Sequence, residues 1–353
     1  MNPTSASESI TRAFQESASP PLPPSSQAPP RILVTGCAGF IGARVCELLL
    51  AAGHNVAGLD SLNDAYDVRL KHWRLARLLN QAGFQFHRLD IAERSALEHP
   101  ALDRLPIGAV INLAARAGVR YSVENPWVYY ETNAIGTLNL LEFCRVRGIG
   151  KFVLASSSSL YGEDNPQPFR EDSNTDRPLS PYAASKKAAE TLCYTYHRLH
   201  ALDVTVFRYF TVYGPAGRPD MMPFRLVQWI SESRPVTVYG DGMQARDFTY
   251  VDDIARGTIA GLRPLGYEII NLGSDRPAKL LDLIQIVEEQ VGRSAVLEHR
   301  PRHPADVTAT WADIGKARRL LDWQPEASLH DGIAQLVAWY RSERDWAKDV
   351  STA

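Results

Sequence analysis

The sequence predicts an α/β protein with a parallel sheet covered by helices on both faces, followed by a smaller, mostly helical lobe. Seven short apolar segments have the length of buried strands; they occupy 32–35, 55–59, 84–89, 109–113, 152–156, 204–209 and 268–272. Segments with a helical repeat of apolar residues separate most of these strands; they occupy 40–52, 67–81, 127–147 and 181–200. Apolar strands that alternate with amphipathic helices are typical of a doubly wound parallel sheet.

The first helical segment follows the first strand after a glycine-rich turn. Its apolar residues Ile41, Val45, Leu48 and Leu49 are spaced so that they lie on one face of a helix. Gly53 follows this pattern, and glycine commonly ends a helix.

The pattern changes after about residue 210. Helices are predicted at 223–232, 251–262, 279–291, 313–321 and 329–340, with a short strand at 236–239. We therefore expect a first domain over 31–210 and a smaller lobe over 211–345, with part of the later chain returning to the first domain. A ligand is expected in the cleft between two such lobes.

The first thirty residues differ from the rest, since they are rich in Ser, Pro and Ala. Such a segment buries too little apolar surface to offset the entropy lost on ordering, so a disordered tail is predicted over 1–30. It lacks the basic start and apolar block of a secretory signal.

Composition excludes several classes of function. The net charge of −2 gives no indication of a nucleic-acid partner. No apolar run approaches the roughly 20 residues needed to cross a membrane. The four cysteines form no CxxC pair and have no metal-site spacing, so reduced thiols in the cytoplasm and no bound metal are expected.

A glycine motif stands directly after the first strand, in Thr-Gly-Cys-Ala-Gly-Phe-Ile-Gly. Without Cβ atoms, such a turn lets a pyrophosphate approach the backbone N–H groups at the start of a helix. The motif therefore predicts a Rossmann-type dinucleotide-binding domain, although a structural glycine-rich turn is the alternative. The expected contacts are Gly36, Gly39, Phe40, Ile41 and Gly42.

The second strand ends in Gly-Leu-Asp, and the carboxylate of Asp60 is placed to accept both ribose hydroxyls of an adenosine. No Arg or Lys immediately follows it, so a 2′-phosphate would meet negative charge and NAD is favoured over NADP. Residues after the third and fourth strands are placed to flank the adenine and the second ribose. These residues are Asp90, Ile91, Leu113, Ala114 and Ala115.

A second motif, Ser-Pro-Tyr-Ala-Ala-Ser-Lys, opens the helical segment at 181–200. Ser180 suits the helix cap and Pro181 its first position. Tyr182 and Lys186 are then four residues apart on one face, a pair that also occurs by chance on surface helices. A nearby ammonium and a positive nicotinamide ring would lower the tyrosine pKa, so Tyr182 is predicted to be a base that removes a hydroxyl proton while hydride leaves the same carbon.

Four serines follow the fifth strand, before Tyr161-Gly162. With the glycine motif, Asp60 and the Tyr–Lys pair, they resemble the extended short-chain dehydrogenase/reductases over about 31–342. Finer segments resemble the UDP-glucuronate 4-epimerases: LDSLNDAYD, AGVRYS, RYFTVYGP with GRPD, and RDFTYVDD. Where that family has Gln in the loop after the fourth strand, this chain has Arg116.

The resemblance implies roles for residues that spacing alone does not assign. It implies that Ser157 hydrogen-bonds the reacting C4 oxygen, and that Ser158 and Ser159 face the rest of the sugar. It also implies that Thr211 and Arg218 meet the sugar carboxylate, where an arginine could hold a carboxylate in a fixed plane.

The remaining implied contacts concern the nucleotide and the subunit partner. Arg120 belongs to the implied substrate site, Arg246 is a phosphate ligand, and Asp306, with Arg302 adding charge, holds the uridine ribose. A homodimer through the helices at 127–147 and 181–200 is also implied.

The expected activity is therefore NAD-dependent 4-epimerisation of UDP-glucuronate to UDP-galacturonate through a transient 4-keto sugar, with NAD tightly bound and regenerated. A 4-epimerase of a neutral UDP-hexose is the alternative. A UDP-glucuronate decarboxylase is disfavoured because Ser158 and Ser159 stand where related enzymes carry an acid. A non-catalytic NAD-sensing scaffold is disfavoured because Tyr182 and Lys186 are both present.

Overall fold

The computed structural model describes residues 30–301 and 307–352. Its centre is a sheet of seven strands, which confirm the seven predicted ones to within a few residues. They are β1 (Arg31–Thr35), β2 (Val56–Leu59), β3 (Phe84–His87), β4 (Ile107–Asn112), β5 (Lys151–Ser157), β6 (Asp203–Tyr209) and β10 (Tyr267–Leu272). Neighbouring strands all pair in parallel, in the order β10-β6-β5-β4-β1-β2-β3.

Helices cover both faces of this sheet, as the apolar strands require. The helices of the first half confirm the four predicted segments and add short ones before and after β4. They are α1 (Phe40–Ala51), α2 (Val68–Leu79), α3 (Pro100–Asp103), α4 (Val119–Glu124), α5 (Trp127–Tyr129), α6 (Gly136–Arg147) and α7 (Pro181–His200). Separate apolar clusters fill the two faces, one under α1 and the other under α6 and α7.

One helix contains a wider turn. Between α5 and α6 the chain passes through a π-helical turn, Tyr130–Ile135, without a break. A π-turn takes one more residue than an α-turn and therefore rotates the side chains that follow. Short 3₁₀ turns occupy Arg94–Glu98 and Ser158–Tyr161.

The later chain forms the smaller lobe around its own apolar cluster. Its helices are α8 (Met222–Ser231), α9 (Val251–Ala260), α10 (Leu280–Val291), α11 (Gly315–Leu321), α12 (Leu329–Ser342) and α13 (Arg344–Ala347). A three-stranded sheet combines β7 (Thr211–Tyr213), β9 (Ala245–Tyr250) and β11 (Pro277–Lys279), and β8 (Val236–Tyr239) pairs with β12 (Leu297–Arg300). Of these five strands the sequence predicted only β8.

Part of the later chain returns to the first sheet. The helix α9 packs against α1, and β10 pairs with β6 at the edge of the large sheet. Ile254 and Ile270 accordingly belong to the same apolar cluster as Val45 of α1. The predicted tail over 1–30 lies outside the described residues, apart from Pro30.

Candidate active site

A cleft runs along the carboxyl ends of the strands and is closed on one side by the smaller lobe. Most of the predicted site residues line it, from the glycine motif to the serines and the Tyr–Lys pair. They are Gly36, Gly39, Phe40, Ile41, Gly42, Asp60, Asp90, Ile91, Leu113, Ala114, Ala115, Ser157, Ser158, Ser159, Tyr182, Lys186, Thr211 and Arg218. The sheet edge brings them together because parallel strands all end on the same side.

The glycine turn leaves no room for side chains. Gly36 has a φ of +69°, and a Cβ on it would lie 2.7 Å from the backbone nitrogen of Ala114. A Cβ on Gly42 would lie 2.0 Å from the carbonyl oxygen of Gly36. The turn therefore keeps the start of α1 open to the cleft, and this geometry fits the diphosphate of a dinucleotide.

Asp60 directly follows β2, and its two carboxylate oxygens accept hydrogen bonds from two different backbone N–H groups. Oδ2 accepts the N–H of Ala38 at 3.1 Å, and Oδ1 accepts the N–H of Leu62 at 2.8 Å. Asp60 is buried and lines the cleft. The position agrees with the predicted ribose contact.

Lys71, which the sequence reasoning missed, lies beside Asp60. Its Nζ is 3.9 Å from Asp60 Oδ1 and donates to Asn63 Oδ1 at 2.9 Å. Lys71 is only 5% exposed and lines the cleft, and burial lowers its pKa. The available signal was its place in the first turn of α2, because helical side chains lean toward the helix start.

A buried arginine joins the glycine turn to the smaller lobe. Arg74 donates from Nε and Nη2 to the carbonyl oxygen of Ala216, and from Nη1 to the carbonyl oxygen of Ala38 at 3.2 Å and to Tyr66 Oη at 2.8 Å. These bonds fix the floor of the cleft at the point where the two lobes meet.

The Tyr–Lys pair lies at the start of α7, as predicted. Ser180 caps the helix by accepting the N–H of Ala183 at 3.2 Å, and Pro181 follows. Lys186 is buried, and its Nζ donates to the carbonyl oxygen of Ala155 at 2.9 Å. Burial lowers the pKa of Lys186 to about 8, and the charge of Glu190 opposes that shift.

The pKa of Tyr182 is raised by burial, and only partly lowered again by the hydrogen bond with Ser157 and the charge of Arg218. The predicted lowering of the tyrosine pKa depends on a bound nicotinamide ring as well as on Lys186, and it stays a prediction. A phenolate at Tyr182 requires positive charge in addition to that of the residues around it.

Hydrogen bonds distinguish Ser156 from Ser157 and Ser159. Ser156 donates to Glu190 Oε1 at 2.6 Å, within a buried pair between Glu190 and Arg208. Ser157 Oγ, at the end of β5, accepts the N–H of Ser159 at 3.2 Å and donates to Ser159 Oγ at 3.1 Å. Ser156 thus stabilises the strand end, whereas the hydroxyls of Ser157, Ser158 and Ser159 belong to the cleft.

The π-turn and the helix α5 before it each supply a residue that sequence reasoning missed. Asn133 holds the loop after β4 through both the N–H and the carbonyl oxygen of Arg116, at 2.9 and 3.0 Å, and donates to Ser185 Oγ at 2.9 Å. Tyr129 packs edge-on against Tyr182, with ring centroids 6.1 Å apart. Hydrogen bonds therefore join the loop after β4, the π-turn and α7 into one unit.

Arg218 has a partner that the sequence did not suggest. Its Nε donates to Asp220 Oδ1 at 3.0 Å, and its Nη2 donates to Asp220 Oδ2 and to the carbonyl oxygen of Ala117. The guanidinium thus uses its fork on Asp220. The expected contact between Arg218 and a sugar carboxylate stays a prediction.

The predicted substrate contact Arg120 and the predicted phosphate ligand Arg246 are not among the residues that line this cleft. Arg120 lies over the ring of Tyr239 in the smaller lobe, 4.6 Å from its centroid. Arg246 donates from Nη1 to the carbonyl oxygen of Ala245 at 2.8 Å. Asp306 and Arg302 lie outside the described residues.

Arg225, which was not predicted, belongs to the same side of the smaller lobe. Its Nε is buried without a hydrogen-bond partner among the described residues. Burial lowers the pKa of Arg225, and the charge of Arg120 adds to that shift. Two guanidinium groups that repel each other suit a phosphate-binding site.

Residues 30–301 and 307–352 contain neither a candidate metal site nor a membrane-spanning helix. Neither of these segments contains a group of three or more His, Cys, Asp or Glu side chains that could hold a metal ion. Their helices are all too short or too polar to cross a membrane.

A family model matches more than half of the chain, from the first strand into the later part. A family model described as the NAD dependent epimerase/dehydratase family matches residues 32–273. The matched segment runs from the first strand to the end of β10, so it includes the whole seven-stranded sheet.

Individual relatives match over nearly the whole chain. A UDP-glucuronate 4-epimerase of Thermodesulfobacterium geofontis is 56% identical over 319 residues, which cover 90% of this chain and 98% of the relative. The crystal structure of UDP-glucuronic acid 4-epimerase from Bacillus cereus with UDP-glucuronic acid and NAD is 38% identical, with a TM-score of 0.82 over 89% of this chain and 99% of that chain. A UDP-glucose 4-epimerase from Thermotoga maritima with UDP-glucose is 30% identical, with the same TM-score and the same coverage.

Proposed function

The chain belongs to the NAD dependent epimerase/dehydratase family, and from this premise we propose that it interconverts UDP-glucuronate and UDP-galacturonate by epimerisation at C4. One observation carries the proposal: Tyr182, Ser157 and Arg218 meet in a single cleft beside the glycine turn. A base for a sugar hydroxyl thus lies near a cation for a sugar carboxylate, and the 56% identical relative has the same activity.

The residues of the cleft divide the reaction among them. Ser157 holds O4 of the sugar, and Tyr182 removes its proton. Bound NAD⁺, held by the glycine turn and Asp60, would supply a hydride acceptor for C4 and additional positive charge for the phenol. Lys186 is held in place by Ala155 and adds its own charge near the phenol and the ribose.

Two features favour the uronic acid over a neutral hexose. Arg218 and Thr211 line the cleft on the side of the smaller lobe, and a neutral sugar has no group that needs this cation. Ser158 and Ser159 provide no acid for chemistry beyond C4, which argues against a decarboxylase. The test is product NMR of the purified protein with a panel of UDP-sugars, in which conversion of UDP-glucose but not UDP-glucuronate would favour the neutral-sugar alternative.

The nucleotide part of the substrate extends into the smaller lobe. We assign the diphosphate to the cations Arg120, Arg225 and Arg246, and the uridine ribose to Asp306. This assignment divides the chain into a cofactor domain over 31–210 and a substrate lobe over 211–345. Within the lobe, α9 and β10 return to the first sheet. The four free, buried cysteines suit a reducing cytoplasm.

Cofactor choice is tested by Asp60→Ala. The variant should retain less NAD and bind NADP at least about tenfold better relative to NAD, because the ribose loses its carboxylate and a 2′-phosphate meets Lys71 without an opposing charge. Cofactor content is measured after denaturation, and affinities by titration.

The double variant Asp60→Ala/Lys71→Ala should lose the gain in NADP affinity. Asp103→Ala, which removes a surface carboxylate bonded to Arg147, is the matched control. An unchanged NAD/NADP preference in Asp60→Ala would show that this carboxylate does not choose the cofactor.

We assign the homodimer interface to the helices at 127–147 and 181–200, the second of which carries Tyr182. Large apolar side chains are exposed along them: Trp127 is 75% exposed, and Tyr130, Ile135, Tyr194 and Leu199 are also exposed. An exposed apolar surface of this kind marks an interaction site.

Trp127→Glu should convert a dimer into a monomer in light scattering, because it places a charge in an apolar interface. Leu79→Glu on α2 is the control, since Leu79 is similarly exposed on a helix away from this face. A wild type that is monomeric at micromolar concentration would contradict the interface.

A further inference from the structure

Among the described residues, one nitrogen of the Arg218 guanidinium has no hydrogen-bond partner. Its Nε and Nη2 donate to Asp220, and Nη2 also donates to the carbonyl oxygen of Ala117 at 3.3 Å. Within 30–301 and 307–352, Nη1 has no hydrogen-bond acceptor. Since Arg218 lines the cleft, Nη1 is the donor that remains for a ligand.

The backbone holds Arg218 and Asp220 together. The N–H of Met221 donates to the carbonyl oxygen of Arg218 at 3.2 Å, so residues 218–221 form a β-turn. Pro219 occupies the second position of the turn, where its fixed φ is favourable. The turn ends at the start of α8, which anchors it.

The neighbouring loop fixes the other side of the guanidinium. Tyr129 Oη donates to the carbonyl oxygen of Gly118 at 2.9 Å, next to the Ala117 carbonyl that Arg218 uses. Gly118 has a φ of +115°, and a Cβ there would lie 3.8 Å from Arg218 Nη2 and 3.9 Å from Asp220 Oδ2. The ion pair therefore packs directly against the loop that follows β4.

The pair is ionised and neutral as a whole. Burial acts to raise the pKa of Asp220, but the charge and hydrogen bonds of Arg218 outweigh it, and the net shift is downward. The pKa of Arg218 is raised. A sugar carboxylate that reaches Nη1 therefore meets one cation that is already shared with another carboxylate.

We propose that Asp220 is a positioning residue that fixes the plane of the Arg218 guanidinium, presents only Nη1 to the uronate carboxylate, and weakens the attraction for that carboxylate. The inference rests on the proposed function, since it concerns the same substrate site. A fixed plane matters because the 4-keto uronate is a β-keto acid. If its C5–CO₂⁻ bond aligns with the C4 carbonyl, that bond breaks, CO₂ leaves, its electron pair forms the C4–C5 enolate, and a proton from solvent at C5 gives a UDP-4-keto-pentose.

The test is Asp220→Asn in the NAD-loaded enzyme. Asn keeps one acceptor for the guanidinium but removes the opposing charge and one of the two bonds. In the inactive Tyr182→Phe background, we expect Asp220→Asn to lower the Kd for UDP-glucuronate by about three- to tenfold. The Kd for UDP-glucose, which has no carboxylate, should not change.

With Tyr182 intact, Asp220→Asn should lower the yield of UDP-galacturonate and release CO₂, with UDP-4-keto-pentose visible by NMR and the C4 hydride left on the enzyme as NADH, which its absorbance detects. Asp172→Asn is the matched control. Arg170 and Asp172 form the same Arg-x-Asp pair on the surface, with Nε 3.2 Å from Oδ1. The control should bind and react as the wild type does.

Two results would overturn the assignment. If Asp220→Asn binds UDP-glucuronate as the wild type does and releases no CO₂, Asp220 does not position Arg218. If it weakens UDP-glucuronate and UDP-glucose equally, its role is only structural. Should Asp220→Asn fail to fold, Asp220→Glu provides the test: it retains the charge, so the Kd should stay near the wild-type value while CO₂ is released, and the absence of CO₂ would again contradict the proposal. A wild type that does not convert UDP-glucuronate overturns the proposed function itself.

Discussion

Turnover of UDP-glucuronate is expected to fall by about 10²–10⁴-fold when Tyr182 is replaced by Phe. The change removes the oxygen that accepts the O4 proton but keeps the ring, its edge-on contact with Tyr129 and the capped start of α7. Product formation is followed by NMR. Bound NAD, measured after denaturation, should be the same as in the wild type because Asp60 and the glycine turn are untouched.

Tyr340→Phe in the smaller lobe is the control for this variant. The Tyr340 hydroxyl donates to Glu232 Oε1 and does not line the cleft, so its loss should leave turnover unchanged. Near-native turnover in Tyr182→Phe would remove Tyr182 from the role of base and would leave the Tyr–Lys pair as a structural feature of the helix.

The pKa of Tyr182 could not be predicted from the spacing of Tyr182 and Lys186 alone. Spacing placed Lys186 on the same face of α7, and this placement is confirmed. However, Lys186 donates to the carbonyl oxygen of Ala155, and burial raises the pKa of Tyr182. Sequence spacing gives the direction of a side chain along a helix, but not the desolvation that surrounding elements impose on it.

The parts of the site that could be predicted are those fixed by local rules. The motif around Gly36 follows a strand and opens a helix, and Asp60 is the first residue after β2. The same holds for Ser157 at the end of β5. In a parallel sheet these positions converge, so local assignments were enough to assemble most of the cleft.

The missed residues depend on contacts between distant segments or on irregular backbone. Asn133 reaches Ser185 and the loop after β4 because the π-turn rotates it, and nothing in the helical pattern of 127–147 indicates that turn. Strand β9 contains Arg246-Asp247 and pairs with β7 and β11, so its strand character depends on its neighbours. Asp220 belongs to the GRPD segment, but its role depends on where the folded chain places Arg218.

Arg218→Ala is expected to weaken UDP-glucuronate binding by ten- to a hundredfold, because a charge-assisted hydrogen bond is worth roughly 1.5–3 kcal/mol. The variant also leaves the partly buried Asp220 without its cation, which adds repulsion toward the uronate. The carboxylate can then rotate into alignment with the C4 ketone. A fraction of turnovers should end in CO₂ and UDP-4-keto-pentose, whereas the wild type should give UDP-galacturonate alone.

The sign of the binding change separates this variant from Asp220→Asn. In both variants the uronate carboxylate is no longer held in a fixed orientation, so both should produce CO₂. Arg218→Ala should weaken the binding of UDP-glucuronate, whereas Asp220→Asn should strengthen it. Arg170→Ala, which breaks the exposed pair with Asp172, controls for the loss of an arginine and should change neither binding nor products. Binding is measured by calorimetry in the Tyr182→Phe background and products by NMR. If Arg218→Ala binds UDP-glucuronate as the wild type does and yields no CO₂, then Arg218 does not hold the carboxylate, and the cation for the uronate must lie elsewhere in the smaller lobe.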